Sequence, residues 1–132
     1  MDVQRLIEHA IQARMPELSP FSGFAVGAAL LTRNGNVYAG CNIESSSYGL
    51  TICAERVALF KALSEGERFF LELAVVAPGE KGAPPCGACR QLLYDYAPHL
   101  SIHIASLNGN YETINIKDLL PSAFDGGFLS DE

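Results

Sequence analysis

Apolar residues recur at helical spacing at the start of the chain: after Asp2, a good N-cap, come Val3, Leu6, Ile7, Ala10 and Ile11, and the pattern predicts a helix to about Met15, where Pro16 stops it. Two strand-like runs follow, Ala25 to Thr32 and Val37 to Cys41. They are joined through Asn34-Gly35, a dipeptide suited to the positive φ angles of a tight hairpin. From Ile52 to about Ser64 the positions of Val57, Leu59, Phe60 and Leu63 suit a second helix, with Gly66 placed to end it in a left-handed cap. Leu71 to Ala77 is a continuous apolar run, the pattern of a strand buried on both faces. Pro78, Gly79, Gly82, Pro84 and Pro85 make a loop, and a third helix starts near Cys86 and stops before Pro98. Ser101 to Ala105 and Tyr111 to Ile116 read as two last strands around Asn108-Gly109, followed by a helical turn, Lys117 to Leu120.

The order is helix, hairpin, helix, strand, helix, hairpin. A strand, helix and strand in succession predict a right-handed parallel crossover, so the expected fold is a three-layer α/β/α sandwich around a mixed five-stranded sheet. A length of 132 residues with 48% hydrophobic and 18% charged residues fits one compact domain over residues 1–132. Residues 125–132 are expected to form a partly flexible tail, with Ser130 to Glu132 frayed.

Charge narrows the partners. A formal net charge of −6 with 9 basic residues argues against a polynucleotide, whose binders neutralise phosphates with Lys and Arg. Nothing resembles a secretory leader or a membrane-spanning run, so a cytoplasmic protein with no membrane partner is expected. In a reducing compartment the four cysteines, at 41, 53, 86 and 89, are free to bind metal.

Two segments carry the candidate chemistry: Cys53-Ala54-Glu55-Arg56 at the start of the second helix and Pro85-Cys86-Gly87-Ala88-Cys89-Arg90-Gln91 at the start of the third. Cys86 and Cys89, three apart, share a helix face, and helix N-termini favour thiolates. Were the two helix starts to face each other, Cys53 would complete a three-sulfur zinc site with a position left for water, as catalytic zinc sites commonly have. Glu55, two residues beyond Cys53, could reach that water as a general base. Three thiolates and a dication sum to −1, which weakens the Lewis acid, so Arg56 is a candidate to offset the charge by hydrogen bonding to sulfur.

Other readings of the same residues are a dithiol redox pair at Cys86 and Cys89, and a closed four-cysteine structural zinc that recruits Cys41 in a non-enzymatic module. The first leaves Cys53-Ala-Glu unexplained. The second lacks a short knuckle between 41 and 53, and Cys41 fits better as a small buried hydrophobe. His9, His99 and His103 follow no ligand spacing with the cysteines.

The combination matches the three-cysteine form of the His-x-Glu…Pro-Cys-x-x-Cys pattern of zinc deaminases. The chain resembles the small homotetrameric branch of the cytidine deaminase family in Phe24-Ala-Val-Gly-Ala-Ala-Leu-Leu, Gly40-Cys-Asn-Ile-Glu44, Cys53-Ala-Glu-Arg56, Pro85-Cys-Gly-Ala-Cys-Arg-Gln91 and Leu119-Leu-Pro-Ser-Ala-Phe124. The resemblance implies one zinc per subunit on Cys53, Cys86 and Cys89, and proton transfer by Glu55. It also implies ribose contacts from Asn42 and Glu44, and Phe24 and Ala54 beside the nucleoside. Tyr48 and Phe124 would lie at subunit contacts that complete neighbouring pockets in a homotetramer. The implied activity is hydrolytic deamination of cytidine and deoxycytidine in pyrimidine salvage. A modified pyrimidine nucleoside or nucleoside antibiotic is the rival substrate. Ser45-Ser46-Ser47 after Glu44 and Pro84 before Pro85 depart from the usual family residues on the sugar side.

Overall fold

The computed structural model describes residues 1–129; the expected fraying of Ser130 to Glu132 lies outside the described residues. Four helices, α1 (Val3–Ala13), α2 (Ala54–Ser64), α3 (Gly87–Tyr96) and α4 (Ile116–Leu119), enclose five strands, β1 (Gly27–Thr32), β2 (Val37–Cys41), β3 (Phe70–Ala77), β4 (Ser101–Ser106) and β5 (Tyr111–Asn115). The sheet runs β2-β1-β3-β4-β5, parallel only between β3 and β4 and antiparallel at the other pairings. Both hairpins turn where expected, with Gly35 at φ 88° and Gly109 at φ 89°. Helices cover both sheet faces, which makes the three-layer α/β/α arrangement.

Alternation along the strands sorts the core into two layers. Ala28 and Leu30, Leu73 and Val75, and Ile102 and Ile104 meet Ala54, Ala58, Leu59 and Ala62 of α2, Leu93 of α3 and Ile116 of α4. Their intervening neighbours Ala29, Leu31, Ala74, Val76 and Ala105 meet Leu6, Ile7 and Ala10 of α1. β3 is apolar on both sides because it is covered on both. α1 sits so close to β1 that a Cβ on Gly27 would lie 1.8 Å from the Ala10 carbonyl oxygen.

The element ends differ from the sequence pattern for local reasons. α1 stops at Ala13 instead of Met15 because Pro16 disfavours helical backbone in the residue before it. Pro16–Leu18 then makes a 3₁₀ turn. β1 begins at Gly27, two residues late: side chains hold the preceding backbone groups, Asn42 Oδ1 accepting from Val26 N and Arg14 Nε donating to the Ala25 carbonyl. Ile116 belongs to α4 and not to the last strand, because the Asn115 side chain caps that helix by accepting from Lys117 N. Two more 3₁₀ turns, Tyr48–Leu50 and Gly126–Leu129, carry no apolar periodicity that would reveal them.

Candidate metal centre and active site

Cys53 is the N-cap of α2 and Cys86 the N-cap of α3, each with extended backbone; Cys89 lies one turn into α3. Gly40 lets β2 lie against α2, and a Cβ there would meet Ala58 N at 2.7 Å and Ala54 O at 2.9 Å. The β3–β4 crossover brings the start of α3 to the start of α2. As a result Cys53 Sγ lies 3.6 Å from Cys86 Sγ, and Cys86 Sγ lies 3.5 Å from Cys89 Sγ. All three sulfurs fall within 4.8 Å of one another, and the four cysteines are unbridged. Tetrahedral zinc with sulfur at about 2.3 Å holds its sulfurs about 3.8 Å apart, so the cluster fits that ion with little adjustment. Cys41 is buried and outside the cluster, as the three-ligand reading requires.

The thiols are electrostatically unequal. Cys53 is pulled down to about 5, first by hydrogen bonding with Cys89 and then by Arg56. Cys89 is pushed up, first by its hydrogen bond to Cys53 and then by burial. Arg56 Nη2 donates to Cys53 Sγ at 3.5 Å. Its Nε is buried without a hydrogen-bond partner.

Glu55 is 5% exposed. Burial raises its carboxyl to about 7, assisted by the neighbouring Cys53 charge and opposed by its own backbone N–H and Arg56. A group with that affinity takes up and releases protons near neutrality, which is what a shared general base and acid needs.

A cavity of about 190 Å³ opens onto this cluster, lined among others by Phe24, Asn42, Cys53, Ala54, Glu55 and Cys86. Six candidates from the sequence thus reach one cavity, two of them the sulfurs of Cys53 and Cys86. Val26, Thr51, Val75, Ala83 and Pro84 line it as well. Sequence reasoning gave Val26, Thr51, Val75 and Ala83 no site role, Val26 and Val75 reading as strand and Thr51 carrying no motif, whereas Pro84 is the departure noted on the sugar side. The Asn42 amide is held by Val26 N and by the Phe24 carbonyl, each at 2.9 Å, which fixes the loop bearing Phe24.

Glu44 and Tyr48 face an adjoining cavity of about 420 Å³ with Phe21, Ser22, Ser45 and Thr51. Thr51 borders both cavities. Glu44 accepts from Phe21 N at 3.0 Å, from Ser22 N at 3.1 Å and from the Ser22 hydroxyl. The Ser22 hydroxyl is the main reason its carboxyl lies below the usual range. Phe124 reaches neither cavity within one chain; its ring stacks on Phe128 at 5.5 Å.

The model of the cytidine and deoxycytidylate deaminase zinc-binding region matches residues 1–102, which span all three clustered cysteines and Glu55. Cytidine deaminase of Halalkalibacterium halodurans is 49% identical over 132 residues, 99% of this chain and 100% of the relative. That of Sporosarcina psychrophila is 47% identical over 131 residues, 98% and 96% of the two chains. The crystal structure of cytidine deaminase from Burkholderia pseudomallei superposes with a TM-score of 0.89 at 44% identity, covering 94% of this chain and 100% of the other. Likeness of this extent, over a region that includes the clustered sulfurs, makes the chain a member of the zinc-binding cytidine deaminase family.

Proposed function

We propose that the protein hydrolyses cytidine and deoxycytidine to uridine and deoxyuridine with release of ammonia. The observation that carries this reading is the meeting of three sulfurs and a buried carboxyl on one cavity that Phe24 and Asn42 also line. Cys53, Cys86 and Cys89 would hold one zinc ion per chain. When bound, zinc would supply the Lewis acidity that lowers the pKa of water towards neutrality.

The remaining work falls to side chains. Glu55 takes a proton from water and delivers it to ring N3, then takes the remaining water proton from the C4 hydroxyl and passes it to the amine as the C–N bond breaks, so one carboxyl acts twice as base and twice as acid. Arg56, through Cys53 Sγ, offsets the excess negative charge of three thiolates. Phe24 and Ala54 border the base, and Asn42 and Glu44 meet the ribose hydroxyls. Asn42 retains one amide hydrogen beyond its bond to Phe24 O, and Glu44 lies partly open to its cavity.

The cavity at the sulfurs is smaller than the roughly 300 Å³ at which small-molecule sites begin. We infer that neighbouring copies complete it in a homotetramer, with Tyr48 and Phe124 at the contacts. Tyr48 is 76% and Phe124 54% exposed, a costly way to leave aromatic surface in a lone chain. We place this activity in a single-domain cytoplasmic enzyme of pyrimidine salvage; its acidic balance argues against a polynucleotide partner, and among the described residues no helix is long and apolar enough to cross a membrane.

Ammonia release by the zinc-loaded protein from cytidine, deoxycytidine, adenosine, cytosine base and a cytidine-containing oligonucleotide tests the reading. Turnover is expected with the first two alone. Preference for a modified pyrimidine nucleoside would move the function to the rival substrate class. Glu55→Gln should keep zinc and bind nucleoside yet lose turnover by about 10²-fold or more; a fully active variant would remove Glu55 from the chemistry.

A further inference from the structure

The segment that delivers Cys86 is poorly tied down. Between the end of β3 and the start of α3 it contains Pro78, Pro84 and Pro85, and both its glycines have positive φ, Gly79 at 101° and Gly82 at 66°. Among the described residues no backbone hydrogen bond joins Pro78–Pro85 to the rest of the chain outside the regular elements. One side chain fills that gap. Arg90 Nε donates to the Pro85 carbonyl at 2.7 Å, and Arg90 Nη1 donates to the Leu119 carbonyl at 2.9 Å. The backbone N–H of the same residue donates to the Cys86 carbonyl at 2.9 Å.

Arg90 therefore holds the carbonyls on both sides of the Cys86 α-carbon and anchors them to the last residue of α4. Pro85 is buried while Cys86 is exposed, so the sulfur stands at the open end of a loop whose last residue this guanidinium holds by its carbonyl. Arg56 approaches Cys53 Sγ directly; Arg90 instead acts on the backbone that carries a sulfur. Its planar fork is suited to two carbonyls in different directions, which a lysine ammonium on one flexible stem cannot hold together.

We propose that Arg90 is a positioning residue for the metal site, setting where the Cys86 sulfur stands and thereby how long the ion is retained. This rests on the reading that Cys86 is a zinc ligand. Outer contacts that orient ligands are commonly worth about 10- to 100-fold in metal affinity, and Arg90→Met, which keeps the stem and removes every donor, should speed zinc release by about that factor.

The experiment measures zinc release from the loaded protein to a chromogenic chelator for the wild type, Arg90→Met, Arg90→Lys and Gln91→Met. Absorption of the cobalt(II)-loaded forms and thermal unfolding with and without metal are recorded alongside. Arg90→Met should release fastest and shift the thiolate-to-cobalt absorption, and Arg90→Lys should fall between it and the wild type. Gln91→Met should release at the wild-type rate, because Gln91 Nε2 bonds Asp95 and the Phe124 carbonyl and not the Cys86 loop. Where Arg90→Met fails to fold, Arg90→Lys decides. Wild-type release and an unchanged cobalt spectrum in every folded Arg90 variant, with equal loss of stability in loaded and metal-free forms, overturns the proposal. A wild type that holds no zinc, or a Cys86→Ser variant that keeps all of it, would instead overturn the ligand reading.

Discussion

Glu44 shows how a residue named for substrate contact is also built into the fold. Its carboxylate gathers two backbone N–H groups and a hydroxyl from the Phe21-Ser22 turn, which pre-sets that turn beside the cavity. Because its folded pKa is depressed, chiefly by the Ser22 hydroxyl, the stabilisation is present above the ordinary carboxylate value near 4.5 and disappears as pH falls through the lower folded value. Glu44→Gln should therefore lower thermal stability at pH 7, and the gap to the wild type should close as the solution is taken below pH 4.5; a gap of constant size across that range would contradict the linkage. Ser22→Ala should raise the Glu44 titration midpoint seen by NMR.

At the scale of elements, the site depends on how near a strand can come to a helix. Gly40 lies against the backbone of α2, and the atoms a methyl group would meet cannot rotate away. Gly40→Ala should cost about 1–3 kcal/mol by overpacking, and because α2 begins at the cysteine cage it should also reduce zinc occupancy. Chemical denaturation and metal analysis of the same sample check both. The nine helices and strands among the described residues were legible from apolar periodicity, hairpin dipeptides and caps. Their ends were less so: Asn42 and Arg14 delay β1 from positions distant in sequence, and Asn115 converts the end of β5 into a cap. The sulfur cluster was readable because the Cys53-Ala-Glu and Pro-Cys-x-x-Cys segments specify their chemistry locally. Thr51 and Ala83 were not, since a cavity wall is made of whatever residues loops happen to bring there. The Arg90 clamp was equally hidden, as its acceptors are main-chain atoms that no side-chain pattern records.

The whole molecule exposes apolar surface beside its chemistry. Ile43, Leu50, Ile52, Val57 and Phe60 line a groove of about 520 Å³ that also borders Glu44, and Leu50 is 69% exposed. In the proposed tetramer this groove is an interface, so Leu50→Glu should shift sedimentation towards smaller species and raise KM, because pockets lose the neighbour that closes them. A wild-type chain that sediments as a monomer while turning over cytidine at full rate would refute that assembly.

One sulfur of the cage precedes the next by 33 residues. A chain emerging from the ribosome therefore displays Cys86 and Cys89 as a local pair while Cys53 is still a distant stretch of polymer, and the third arm arrives only when the central strands have paired. Tight retention of the ion is consequently a property of the finished molecule alone. Copies whose central strands have not paired offer only Cys86 and Cys89 as a local pair, and they should give up zinc to a competing thiol faster than the folded protein does.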